Sequence, residues 1–275
     1  WETQEDRLQA RGLPVWRTEA EVAEAVGLSE RELRYYATHR LVDRVNHYVQ
    51  FAVPKARGGE RILSAPKRRL KAVQRRLVES LVRALPMADP AHGFRRGRSV
   101  ATNAAPHVGK RVVVRLDLQD FFGTVTFPRV RGLLRSYGYG QAVASVLALL
   151  MTEAHRQPID VEGVIHYAAV GPRHCVQGAP TSPGICNAMA RKLDHRLLGL
   201  ARQLGFSYTR YADDLIFSGD DGGAVSKLLG GVRMIVRDEG FALNDDKTRI
   251  MRSGAHQHVT GVTVNEVLGL SRKER

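Results

Sequence analysis

The chain has 275 residues, a net charge of +14 and a pI near 10.3, with 43% hydrophobic and 25% charged residues. That balance suits a globular chain with a sizeable core, and no apolar run approaches the roughly 20 residues of a membrane span. The surplus of Lys and Arg favours an anionic polymer as partner, nucleic acid first, and no membrane.

No charged-then-apolar signal segment opens the chain, whose first residue is Trp1 and not Met. Cys175 and Cys186 make neither a disulfide framework nor a zinc pattern. A reducing cytoplasm is the expected compartment.

Residues 1–45 read as helical and separate from the rest of the chain. Thr18 caps one helix, Gly27 ends it, and Ser29 with Glu32 forms the capping box of the next. Two short helices joined at a glycine fit either a helical hairpin or a helix-turn-helix. The run from Val22 to Tyr36 resembles the start of MerR-type regulators, so a non-catalytic DNA- or RNA-binding regulator is the alternative of another class.

From Tyr48 the texture changes. Tyr48 to Pro54 alternates as a strand, 57–60 turn, and Arg61-Ile62-Leu63 returns, a hairpin with Lys55, Arg57 and Arg61 around its tip. Arg68, Arg69, Lys71 and Arg75 follow on a helix striped by Leu70, Val73, Leu77 and Leu81. A helix face so uniformly positive points to phosphate contact. His92-Gly-Phe-Arg-Arg-Gly-Arg98 adds glycines for close backbone approach and arginines, Arg95 and Arg96 among them, as forked donors.

Arg111 to Phe122 reads as a buried strand running into Asp117 and Asp120. A strand that ends in acids is costly unless they are exposed or hold a cation. Residues 128–157 read as mainly helical, 177–183 as a loop, about 184–204 and 223–239 as helices, and 259–264 as a strand. Between the last two helices, apolar runs flank Asp213-Asp214, a hairpin with acids at its tip. Two strand ends bearing carboxylates, far apart in sequence, are what a two-metal phosphoryl-transfer site needs.

The order of these motifs resembles the reverse transcriptases. Asp117-Leu-Gln-Asp-Phe-Phe122 matches the family's first catalytic motif and Tyr211-Ala-Asp-Asp214 its YxDD box. Gln177 to Pro183 resembles its QGxPxSP loop, Asn244 to Thr248 its lysine motif, and the 53–61 hairpin its fingers motif. Within the family the chain is most similar to the bacterial retron enzymes. Asn103-Ala-Ala-Pro-His107 fits their NAxxH motif and Val259-Thr260-Gly261 their VTG motif. Group II intron enzymes and phage-defence relatives share the core motifs.

The resemblance implies an α+β right-hand polymerase. The expected order is an N-terminal helical segment at 1–45, fingers at 46–111 and 125–178, and palm at 112–124 and 179–265. Residues 266–275 are the start of a thumb largely absent from this chain. It implies RNA-directed DNA synthesis on two Mg2+ ions, with Mn2+ as a substitute, held by Asp117, Asp213, Asp214 and the Leu118 carbonyl. Lys247 would protonate the leaving pyrophosphate, and Lys55, Arg61, Phe122 and Gln177 would contact the dNTP, Phe122 as the steric gate. Nucleic acid would meet Arg68, Arg69, Lys71, Arg75, Arg95, Arg96, Asn103, His107 and Val259 to Gly261. The implied partners are a structured non-coding RNA that is both template and primer, its DNA product and an effector protein.

Overall fold

The computed structural model describes residues 2–54 and 59–270. Lys55 lies outside the described residues, and so does the side chain of Arg61. Two compact units form, each from two stretches: Trp1–Pro86 with Phe122–Met189, and Met87–Phe121 with Ala190–Arg275. Compared with the expected boundaries, residues 87–111 go with the acid-bearing unit and 179–189 with the other.

The first unit begins with helices α1 (Glu5–Gln9), α2 (Glu19–Val26) and α3 (Glu30–Tyr36). The caps are those the sequence dictates: Thr18 accepts from the Glu21 N–H, Gly27 closes α2 at φ +68°, and Ser29 and Glu32 bond reciprocally. α2 packs on α4 (Arg68–Ser80) and α7 (Gln141–Met151). Arg69 of α4 donates to Glu32 Oε1 at 2.7 Å and to the Gly27 carbonyl at 3.0 Å. Arg34 pairs with Glu30 on the α3 surface. The segment is thus a helical hairpin fastened to its own unit, with a surface of mixed sign. α4 buries Leu70, Val73 and Leu77 on its striped face, each worth roughly 1.5–3 kcal/mol.

Strands β2 (Tyr48–Pro54) and β3 (Glu60–Pro66) pair antiparallel as the expected hairpin, with Val53 opposite Arg61. Helicity across 128–157 holds for α6 (Phe127–Tyr137) and α7, and stops at Thr152. Beyond it lies a long hairpin, β5 (Glu153–Val161) and β6 (Val164–His174), with β1 (Val42–Asp43) paired to β6. Its two-residue turn, Glu162-Gly163, takes φ +55° and +78°, the twist that suits a tight hairpin. The helix expected at about 184–204 breaks at Ala190 into α8 (Ser182–Met189) and α9 (Arg191–Gln203). α8 closes the first unit and carries Cys186, which like Cys175 is buried and in no disulfide.

The second unit is built on a sheet in the order β7 (Ser207–Tyr211), β8 (Asp214–Gly219), β4 (Val112–Asp117), β9 (Arg249–Arg252). All neighbours are antiparallel. β4 is central, and Val112, Val113, Val114 and Leu116 are all buried, as its unbroken apolar run predicts. Val113, Ile216 and Met251 pack with Ala104 of α5 (Val100–Ala104) and with Val259, Val262 and Val264. α9 and α10 (Val225–Asp238) pack on each other, and α9 on β7.

The strand expected at 259–264 is instead a tight hairpin, β10 (His258–Val259) and β11 (Val262–Thr263), with β12 (Gly269–Leu270) beside β11. Thr260 and Gly261 form its turn at φ +47° and +81°, so an extended run through them is impossible. No helix among the described residues is long and apolar enough to cross a membrane.

Candidate active site

Asp117 ends β4 directly opposite Asp214, the first residue of β8. Residues directly opposite in a ladder share a face, so both carboxylates leave the sheet on one side. Asp213 is carried between them by the two-residue turn Ala212-Asp213, in which Ala212 takes φ +54°. Three backbone bonds join the segments: Leu118 N–H to the Asp213 carbonyl, Asn244 N–H to the Asp117 carbonyl, and Gln119 N–H to the Ala242 carbonyl, each 2.8 Å. The first matters most, because it ties the strand bearing Asp117 to the acid turn itself.

Two cations enter this cluster. Lys247 Nζ lies 2.9 Å from each carboxylate oxygen of Asp117. Arg115 forks onto Asp214, Nε to Oδ1 and Nη2 to Oδ2, both at 3.0 Å. Burial, then the neighbouring Asp214 and Asp117 charges, push the Asp213 carboxyl above its ordinary value. Burial also raises Asp214, against the pull of Arg115. The two acids of the box are thus unequal, Asp214 being gripped by a guanidinium while Asp213 is pressed upon by other carboxylates.

Among the described residues no three His, Cys, Asp or Glu side chains converge as a ready-made metal cage. The donor chemistry nevertheless fits a hard divalent cation. Carboxylate oxygens that repel one another at a half-buried strand end are relieved by such an ion, and magnesium needs only a few of them.

The other expected residues fall into three groups. Phe121 is buried, 5.9 Å from the Phe241 ring and 5.5 Å below the Arg210 guanidinium, and Phe122 is half-buried. β4 ends at Asp117, so the two rings project from the turns that follow the strand and not from its alternate faces. In the first unit the Gln177 carbonyl accepts from Ser64 N–H of β3 at 2.7 Å, and a Cβ at Gly178 would lie 2.9 Å from the Ser64 carbonyl. The QGxPxSP loop is therefore pinned to the strand that carries Arg61.

Arg68 and Arg75 are exposed on α4, Lys71 is half-buried, and Arg96 is exposed. Arg69 is committed to Glu32 and Gly27, and Arg95 donates to the Ala88 carbonyl. Asn103, His107 and Val259 correct the expectation of nucleic-acid contact, since all three are buried. His107 bridges Ser218 and Thr209 at 2.7 Å on each ring nitrogen. Asn103 reaches Thr260 Oγ1, and Val259 sits in the core cluster. The NAxxH and VTG motifs meet one another inside the unit, leaving Thr260 and Gly261 half-buried at the turn.

Arg115 was not foreseen, although it stands two residues before Asp117 on a strand and so shares its face, a signal present in the sequence. Gly93 makes the close backbone approach expected of its glycine-rich stretch, but to the acid turn: an added Cβ would meet the Ala212 nitrogen at 2.6 Å.

Residues 53–268 match the family model described as reverse transcriptase (RNA-dependent DNA polymerase). The Mx65 retron reverse transcriptase of Myxococcus xanthus is 59% identical over 271 residues, covering 98% of this chain and 64% of the relative. The Ec86 retron reverse transcriptase of Escherichia coli is 32% identical over 275 residues, covering 98% of this chain and 78% of that one. Telomerase of Candida tropicalis, solved with a fragment of telomeric RNA, aligns with a TM-score of 0.59 at 12% identity, over 85% of this chain and 46% of its own; it speaks for the fold alone. The chain belongs to the reverse transcriptase family, in its bacterial retron-type branch. It spans 64% of the Mx65 relative and 56% of a second one from M. xanthus, the Mx162 retron reverse transcriptase (46% identical over 271 residues), less than two thirds of either.

Proposed function

We propose that the chain carries the catalytic centre of an RNA-directed DNA polymerase, with the second unit as palm and the first as fingers. The observation that carries this is the meeting of Asp117, Asp213 and Asp214 with Lys247, drawn together from three distant segments by backbone bonds. The reaction is attack of a primer hydroxyl on the α-phosphate of a dNTP. Asp117, Asp213, Asp214 and the Leu118 carbonyl would hold two Mg2+ ions, or Mn2+ in their place. When bound, such ions stabilise charge on the attacking and leaving oxygens.

The chain's own residues do the rest. Arg115 keeps the Asp214 carboxylate in one orientation. Lys247, an ammonium already among the acids, is placed to donate a proton to the leaving pyrophosphate. Lys55, Arg61 and Gln177 are assigned to the triphosphate and base of the incoming nucleotide. Phe122 is assigned to exclusion of a ribose 2′-OH.

Given its retron-type relatives, we assign as template a structured non-coding RNA that also primes, from an internal 2′-OH, leaving single-stranded DNA joined to RNA. A phage-defence role with an effector protein, in the cytoplasm, belongs to the same reading. An Asp213→Ala, Asp214→Ala protein should lose primer extension on RNA by about 10³-fold or more. Retained extension would sink the assignment. Co-purified nucleic acid sensitive to both RNase and DNase, with a branched joint, is the expected sign of self-priming.

A further inference from the structure

Arg210 is the last residue but one of the acid-bearing hairpin's first strand and is fully buried, as is Asp194 on α9. The pair is a fork: Nε donates to Asp194 Oδ1 at 2.8 Å and Nη2 to Oδ2 at 2.7 Å. Tyr208 adds its hydroxyl to the same Oδ1 at 2.8 Å. Burying such a pair is weak evidence of a stabilising role, because an apolar trio of similar volume commonly serves as well.

What an apolar trio cannot supply is the arm that remains. Arg210 Nη1 reaches past Tyr211 and donates to the carbonyl of Ala212 at 2.9 Å. Ala212 is the residue held at φ +54°, and its carbonyl belongs to the peptide that leads into Asp213. The Arg210 backbone is itself fixed, its N–H to the Pro90 carbonyl at 2.7 Å and its carbonyl to the His92 N–H at 2.8 Å. Phe121 lies under the guanidinium.

We propose that Asp194 and Arg210 are positioning residues: the fork to Asp194 aims the guanidinium, and the guanidinium fixes the peptide that presents Asp213. The role rests on the polymerase reading above. A chain with the pair removed keeps its fold but presents Asp213 off its working position.

The test replaces the whole trio, Asp194→Leu, Tyr208→Phe and Arg210→Met, leaving no buried charge behind. The melting temperature should stay within a few degrees of the parent. For single-dNTP incorporation on a DNA primer annealed to RNA, kcat should fall about 10²-fold, while KM for the dNTP moves by less than about threefold. Deuterium uptake at the amides of 211–214 should accelerate, with β4 unchanged. Parental kcat and parental uptake at 211–214 would overturn the proposal.

Should the triple variant not fold, Arg210→Lys carries the same readouts, since an ammonium cannot fork onto Asp194 and reach Ala212 together. If the folded parent incorporates no nucleotide, the polymerase reading falls. Uptake at 211–214 still decides the positioning role in that case.

Discussion

Each unit buries one carboxylate among arginines, and the two networks are put to different uses. In the second unit Asp194 aims Arg210 at the carbonyl of the acid turn. In the first, Glu153 accepts from Arg173 at 3.1 Å and faces Arg156 at 3.5 Å. There the spare arms run to structure: Arg173 to the Leu149 and Thr152 carbonyls at the end of α7, and Arg156 to those of Tyr167 and Arg40. The same chemistry fastens a helix end to the root of the long β5–β6 hairpin in one unit and a two-residue turn in the other. What a buried ion pair does is decided by where its leftover donors point.

Glu153→Ala gives the largest expected effect. It leaves two arginines without their carboxylate, and the free energy of urea unfolding should fall by about 3–5 kcal/mol. Turnover per folded molecule should be unchanged; a loss of kcat with stability intact would erase the distinction between the networks. Gly93→Ala strikes the other side of the comparison, since its methyl would meet the Ala212 nitrogen at 2.6 Å. We expect kcat about 10²-fold lower with KM for dNTP little changed.

Acid should act on the second unit through another buried group, outside both networks. Burial pushes His107 down to about 3 from an ordinary 6.5, so the fold holds it neutral while the unfolded chain takes up a proton below 6.5. Its contribution is complete above pH 6.5 and is lost at about 1.4 kcal/mol per unit as pH falls towards 3. Asp213 and Asp214, with raised values, work in the opposite sense at lower pH. Unfolding free energies at pH 7 and 5.5 should show a steeper slope in the parent than in His107→Gln, which keeps the slope due to His92, itself pushed down to about 4 by burial. The smallest effect is expected of Thr260→Asn. Asparagine tolerates the left-handed φ of +47° better than a β-branched residue and keeps an acceptor for Asn103, for a gain of about 0.5–1 kcal/mol in the same assay.

The acids, Lys247, the Thr18 cap of α2, the capping box of α3 and the stripe of α4 were all legible, because each is a local pattern with a local cause. Both hairpins that sequence reasoning passed over turn on an X-Gly pair, Glu162-Gly163 and Thr260-Gly261, in which X takes a positive φ that its side chain disfavours. The packing on either flank overrides that preference, and only an Asn or Asp at X would have signalled it. Arg210 and Asp194 were missed for a related reason. An arginine beside an acidic motif reads as surface charge, and its partner lies 16 residues upstream on another element. Asn103 and His107 were legible as motif residues but not as interior, since polar residues are seldom placed in a core without their partners in view.

The stitching of Leu118 to Asp213 and of Asp117 to Asn244 has a consequence for biogenesis. A ribosome that has delivered β4 has delivered one carboxylate and nothing to work with. The second and third arrive about a hundred residues later, and the lysine later still. Since contacts between distant segments form only after their loops have closed, the full cluster of acids and lysine forms late in folding. On the proposed reading, a nascent or clipped chain that stops short of Lys247 would lack part of its catalytic centre, and the ability to copy RNA would come only with the folded chain.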